Sequence, residues 1–97
     1  MDILVLKKND TIKEMLSKLD EEVLEVIHAA TAENEERVAE EVFDTIQVCI
    51  GILDKLERFG ADIKGSLERH NKKLLERGWE YEKVIHINVV RGEAYEG

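Results

Sequence analysis

Three observations predict an all-α fold. Proline is absent, apolar residues recur among abundant charged ones at helical spacing, and capping residues or glycines fall where the apolar runs begin and end. The expected architecture is three main helices that form a four-helix-bundle-like oligomer core, with short candidate β-strands at the termini. Residues 1–97 read as a single helical domain with its core at 11–79.

Taken in order, Ile3-Leu4-Val5-Leu6 is a short apolar run and a candidate strand. Asn9, Asp10 or Thr11 can cap a first helix to about Ala30, whose stripe is Ile12, Met15, Leu16, Leu19, Val23, Val26, Ile27 and Ala30. A second helix starts between Ala32 and Glu35, capped by Thr31 or Asn34, and ends at Gly60. Its stripe is Val38, Val42, Thr45, Ile46, Cys49, Ile52, Leu53 and Leu56, and Phe43 and Ile50 widen that apolar surface. A helix of this kind is covered on more than one side, by the third helix or by a second copy of the chain. Asp62 can cap the third helix, which ends at Gly78. Lys83 to Val90 is rich in β-branched residues and is the second candidate strand, able to pair with Ile3 to Leu6, and Gly92 to Gly97 reads as a frayed tail.

Composition narrows the function. Fourteen basic residues against 22 acidic ones give a formal charge of −8, and no basic cluster could displace the counterions of a nucleic-acid polymer. A free nucleotide stays open, because bound metal reverses the sign of a site locally. The lone Cys49 makes no intrachain disulfide, and no signal peptide or membrane-spanning run is visible, so a cytoplasmic protein is expected. His28, His70 and His86 lack zinc spacing. With 97 residues, a homodimer or homotetramer is the expected way to bury more apolar surface.

The chemistry-bearing pattern is a repeat. Lys18, Glu22 and Glu25 share one side of the first helix, and Arg37, Glu41 and Asp44 share the same side of the second. Wheel positions put Glu22 and Glu41 at the border of the apolar arc, with Glu25 and Asp44 further round. Two such helices side by side aim four carboxylates at one another, and carboxylates held against apolar surface must protonate, pair or coordinate. Magnesium fits, as a hard ion that takes carboxylate oxygens and bridges to phosphate. Lys18 and Arg37 then either bind phosphate or pair with the acids one turn on. In a chain with 37% charged residues a single Glu-x-x-Glu is ordinarily a solvated face; two copies at matching edges favour a metal site.

Glu21-Glu22-Val23-Leu24-Glu25, fifteen intervening residues and Glu41-Val42-Phe43-Asp44 resemble the motif of MazG-type all-α nucleoside triphosphate pyrophosphohydrolases over residues 11 to 79. The resemblance implies Glu22, Glu25, Glu41 and Asp44 as Mg2+ ligands, with Mn2+ as a substitute, and Glu21 or Glu22 as the catalytic acid that orients or deprotonates water. It also implies triphosphate contacts from Lys73 and Arg77 on the following helix, with Asn71 beside them. By themselves these cations would be ordinary helix C-terminal charges. The implied reaction converts an NTP or dNTP and water to the monophosphate and pyrophosphate. Trp79 or Tyr81 could stack on the base, although such aromatics more often belong to a core or interface.

A related family, phosphoribosyl-ATP pyrophosphatase, shares the acid spacing and the short lead-in, and Leu67-Glu68-Arg69-His70 is similar to its C-terminal end. Lys18-Leu19-Asp20-Glu21-Glu22 and Thr45-Ile46-Gln47 depart from its pattern, which ranks it second. The remaining alternative is a non-enzymatic acidic oligomerisation module.

Overall fold

The computed structural model describes residues 1–91 and contains α1 (Ile12–Thr31), α2 (Glu35–Arg58) and α3 (Ile63–Glu76), with no strand among the described residues. The described residues form two compact units, one of Ile3–Ile63 with the α1/α2 hairpin, the other of Met1–Asp2 and residues 64–91.

Local chemistry sets the helix ends. Thr11 caps α1 through a capping box: its Oγ1 accepts from the Glu14 N–H at 3.1 Å, while Glu14 Oε1 accepts from the Thr11 N–H at 3.2 Å. Asn34 caps α2 by accepting from the Arg37 N–H at 3.1 Å, a bond of a kind that contributes about 1 kcal/mol. Gly60 and Gly78 end α2 and α3 with φ of 97° and 88°, left-handed values that a Cβ would disfavour. In both, the glycine N–H reaches back three residues and the next N–H five, the pattern of a Schellman turn.

Residues 32–34 join α1 to α2, so the two helices pack as an antiparallel pair. The seam differs from the expected stripe. Met15 and Ala29 are the buried residues of α1, and Glu22 lies midway between them at heptad spacing, with partly covered Leu19 and Val26 in the same row. On α2, Val38, Glu41, Thr45, Val48, Ile52 and Lys55 are partly covered and repeat at three and four residues. Glu22 and Glu41 therefore lie on the seam, rather than at its border. The Thr45 hydroxyl is satisfied there by donating to the Glu41 carbonyl at 3.0 Å.

The rest of the apolar surface is open. Leu16, Val23, Leu24, Ile27, Phe43 and Leu53 are exposed, Phe43 at 60%. The sequence stripe thus merged two faces, one closing the hairpin and one facing outward.

The candidate strands at 3–6 and 83–90 are not strands. Two strands alone make a marginal ribbon unless further strands or a covering layer stabilise them. Side chains of α2 hold the first segment instead: Gln47 Nε2 donates to the Leu4 carbonyl at 2.5 Å, and Lys55 Nζ donates to the Asp10 carbonyl. The tail expected at Gly92 to Gly97 lies outside the described residues. No helix among them is long and apolar enough to cross a membrane.

Candidate metal centre

Because α1 and α2 run antiparallel, Glu22 near the middle of α1 comes opposite the first half of α2, where Glu41 and Asp44 are one turn apart. One carboxylate oxygen from each of Glu22, Glu41 and Asp44 lies within 4.8 Å of the others. Opposite ligands on an octahedral magnesium ion are about 4.2 Å apart. The three oxygens are therefore close enough for one hard divalent cation, with only small side-chain rotations. The donor set is all oxygen, which suits Mg2+ or Mn2+ and not a soft metal.

Covering sharpens the charge problem. The Glu22 side chain is 12% exposed and that of Glu41 18%, whereas Asp44 faces solvent. Partial burial, followed by the charges of Asp44, Glu25 and Glu22, holds the Glu41 carboxyl above its ordinary range, with Arg37 opposing the shift. Glu25 stands outside the close group and approaches Arg37 Nη2 at 3.8 Å. Arg37 also approaches Glu41, its Nε lying 4.0 Å from Oε1, and so sits between two of the expected ligands.

Lys18 plays the matching part on α1. Its Nζ lies 3.0 Å from Glu22 and 3.5 Å from Glu21, and hydrogen bonding to Glu22 raises the Lys18 pKa above its ordinary value. Both cations are thus paired with acids. Five carboxylates, at Glu21, Glu22, Glu25, Glu41 and Asp44, face two cations, and the excess of negative charge is what a divalent ion would neutralise. Glu21, next to Glu22 in sequence but about 100° round the helix, is 68% exposed.

In the second unit, Asn71 and Lys73 are exposed on α3, and Arg77 is in the turn just after it. The Arg77 N–H still donates to the Lys73 carbonyl at 3.1 Å, so the helical relation of the two survives. Trp79 and Tyr81 are exposed.

By its family match the chain is a pyrophosphohydrolase of the MazG-like all-α superfamily. Within that superfamily, the family model described as phosphoribosyl-ATP pyrophosphohydrolase, PRA-PH, matches residues 6–72, and the chain belongs to this family. Its members act on phosphoric anhydrides, so the chain is a hydrolase of that kind. The matched span contains all the acids of the site and Asn71, and stops just before Lys73. No curated protein and no solved structure matches the chain.

Proposed function

We propose that the protein hydrolyses the anhydride between the α- and β-phosphates of phosphoribosyl-ATP in a magnesium-dependent reaction, releasing pyrophosphate and phosphoribosyl-AMP. The observation that carries this reading is the convergence of Glu22, Glu41 and Asp44 in a chain of the PRA-PH family. The family match reverses the order of the two enzyme readings drawn from sequence. A general NTP or dNTP pyrophosphohydrolase becomes the second, favoured by the departures at Leu19-Asp20 and Thr45-Ile46-Gln47.

Glu22, Glu41 and Asp44 would hold the ion, with Glu25 a fourth ligand once it leaves Arg37. Magnesium there would supply charge neutralisation at the phosphates and make the attacking water easier to deprotonate. Glu21 or Glu22 accepts the proton as the water oxygen bonds to the α-phosphorus, and the bridging oxygen departs with pyrophosphate. On the hairpin, Lys18 and Arg37 are the proposed phosphate contacts, and on the other unit the family resemblance proposes Asn71, Lys73 and Arg77; arginine can grip two oxygens at once, and lysine acts as a point charge. Pyrophosphate release from phosphoribosyl-ATP, ATP and a panel of other NTPs and dNTPs tests the reading. Phosphoribosyl-ATP should be turned over with the highest kcat/KM; a standard triphosphate in that place selects the second reading.

A homodimer or homotetramer accompanies this function. Leu16, Val23, Leu24, Ile27 and Phe43 are exposed, and this is apolar surface that a second copy of the chain would cover. Sedimentation velocity should give a multiple of the 11.2 kDa chain mass, and Ile27→Glu should shift it toward the single chain. A wild-type monomer at micromolar concentration counts against the assembly.

A further inference from the structure

A cleft of about 250 Å3 opens beside the hairpin, between the N-terminal segment and the facing sides of α1 and α2. Small-molecule sites start near about 300 Å3, so the cleft has room for part of a nucleotide rather than the whole. Its wall includes Lys18, which touches Glu22 of the acidic triad at 3.0 Å, so one side of the cleft borders that site. Lys8, Lys55 and Arg58 also line it.

Two features of this cleft bear on what it could hold. The first is charge. Lys8, Lys18, Lys55 and Arg58 outnumber the acids of the wall, Asp10 and Asp54, in a protein whose formal charge is −8. Lys8 pairs with Asp10 at 3.0 Å and Arg58 with Asp54 at 2.8 Å. Lys18 pairs with Glu22, and Lys55 donates to the Asp10 carbonyl and lies 5.7 Å from the centre of the Phe59 ring, with no carboxylate partner among the described residues. The second is Gly51. It lies inside α2, where glycine costs about 1 kcal/mol relative to alanine, yet a Cβ there would meet nothing within 4 Å. Neither backbone conformation nor a neighbouring side chain calls for glycine. Gly51 lines the cleft, and a ligand lying flat against the helix would call for it.

Spacing along α2 orders these features. From Asp44 the helix rises about 10 Å to Gly51 and about 16 Å to Lys55. A triphosphate held at the acids and running along α2 toward Arg58 would have its ring system near Gly51 and whatever follows the rings near Lys55.

We propose that this cleft takes the part of the substrate remote from the cleaved anhydride, with the ring system over Gly51 and a second phosphate group at Lys8, Lys55 and Arg58. The ligand class is a nucleotide bearing phosphate at both ends. This assignment rests on the pyrophosphohydrolase reading of the triad and deepens it, because it gives the chain a means of telling such a nucleotide from a plain triphosphate.

Steady-state kinetics with phosphoribosyl-ATP and ATP, both with magnesium, test it. The wild-type protein should favour phosphoribosyl-ATP at least tenfold in kcat/KM, and Lys55→Met and Arg58→Gln should each cut that preference several-fold. Gly51→Ala should raise Tm by a few degrees and raise KM for phosphoribosyl-ATP severalfold; a purely structural glycine would change Tm alone. An unchanged preference in both charge variants, or an unchanged KM in Gly51→Ala, overturns the cleft assignment while pyrophosphate release leaves the parent reading standing. If wild-type protein releases pyrophosphate from neither compound, the parent reading fails and takes this one with it.

Discussion

Replacing Glu41 by Gln should lower pyrophosphate release by at least about 10²-fold and, in the same variant, make the metal-free protein more stable. The first effect follows from the proposed role of Glu41 as a charged ligand at a site that would work by neutralising phosphate, where such electrostatic contributions are commonly that large. The second follows from the seam. Glu41 is mostly covered, its oxygen is within 4.8 Å of oxygens from Glu22 and Asp44, and its carboxyl is held above the ordinary range. An amide of the same shape removes the repulsion. Initial rates and melting curves on one preparation check both halves. Rates near wild type would mean that Glu41 is no ligand, and a lower metal-free Tm would mean that its charge is balanced by Arg37. Asp44→Asn should lose activity similarly but gain less stability, because Asp44 faces solvent.

Magnesium should raise the Tm of the wild-type protein by on the order of 10 °C when present at about 100 times its dissociation constant. Binding confined to the folded state contributes about 2.7 kcal/mol at that ratio, and a domain of this size moves several degrees per kcal/mol. The pH dependence has a defined sign. A carboxyl whose folded pKa is raised disfavours folding above that pKa, and the penalty is gone below its ordinary 4.5. Glu41 therefore contributes its penalty at neutral pH, where metal relief is greatest, and mild acidification should shrink the magnesium-induced shift. Scanning calorimetry with and without magnesium across this range is the measurement. No shift at neutral pH would remove the metal centre.

The sequence carried the helix boundaries closely, because their signals are local. Thr11 and Asn34 were among the caps expected, and Gly60 and Gly78 follow the ends of α2 and α3. The pairing of the acidic motifs was legible as well, since carboxylates at matching helical positions meet when consecutive helices fold back. The seam was less legible. Ala29, fully buried, was absent from the expected stripe, and Glu22 was placed at the edge of an arc that averaged two apolar faces. Periodicity shows that a side chain avoids water, not which surface covers it. The non-strand state of 3–6 and 83–90 was hidden for a related reason: β-branched composition fits a strand only when a partner exists. The cleft depends on bonds from Gln47 and Lys55 to the N-terminal backbone, more than 40 residues away in sequence, and no local pattern announces them.

The three-residue link between α1 and α2 has a kinetic consequence. Every close member of the acidic triad belongs to one hairpin, so no long loop must close to bring Glu22 to Glu41 and Asp44. Local contacts form early because they cost little loop entropy. Folding of the hairpin and assembly of the acidic triad are then a single event.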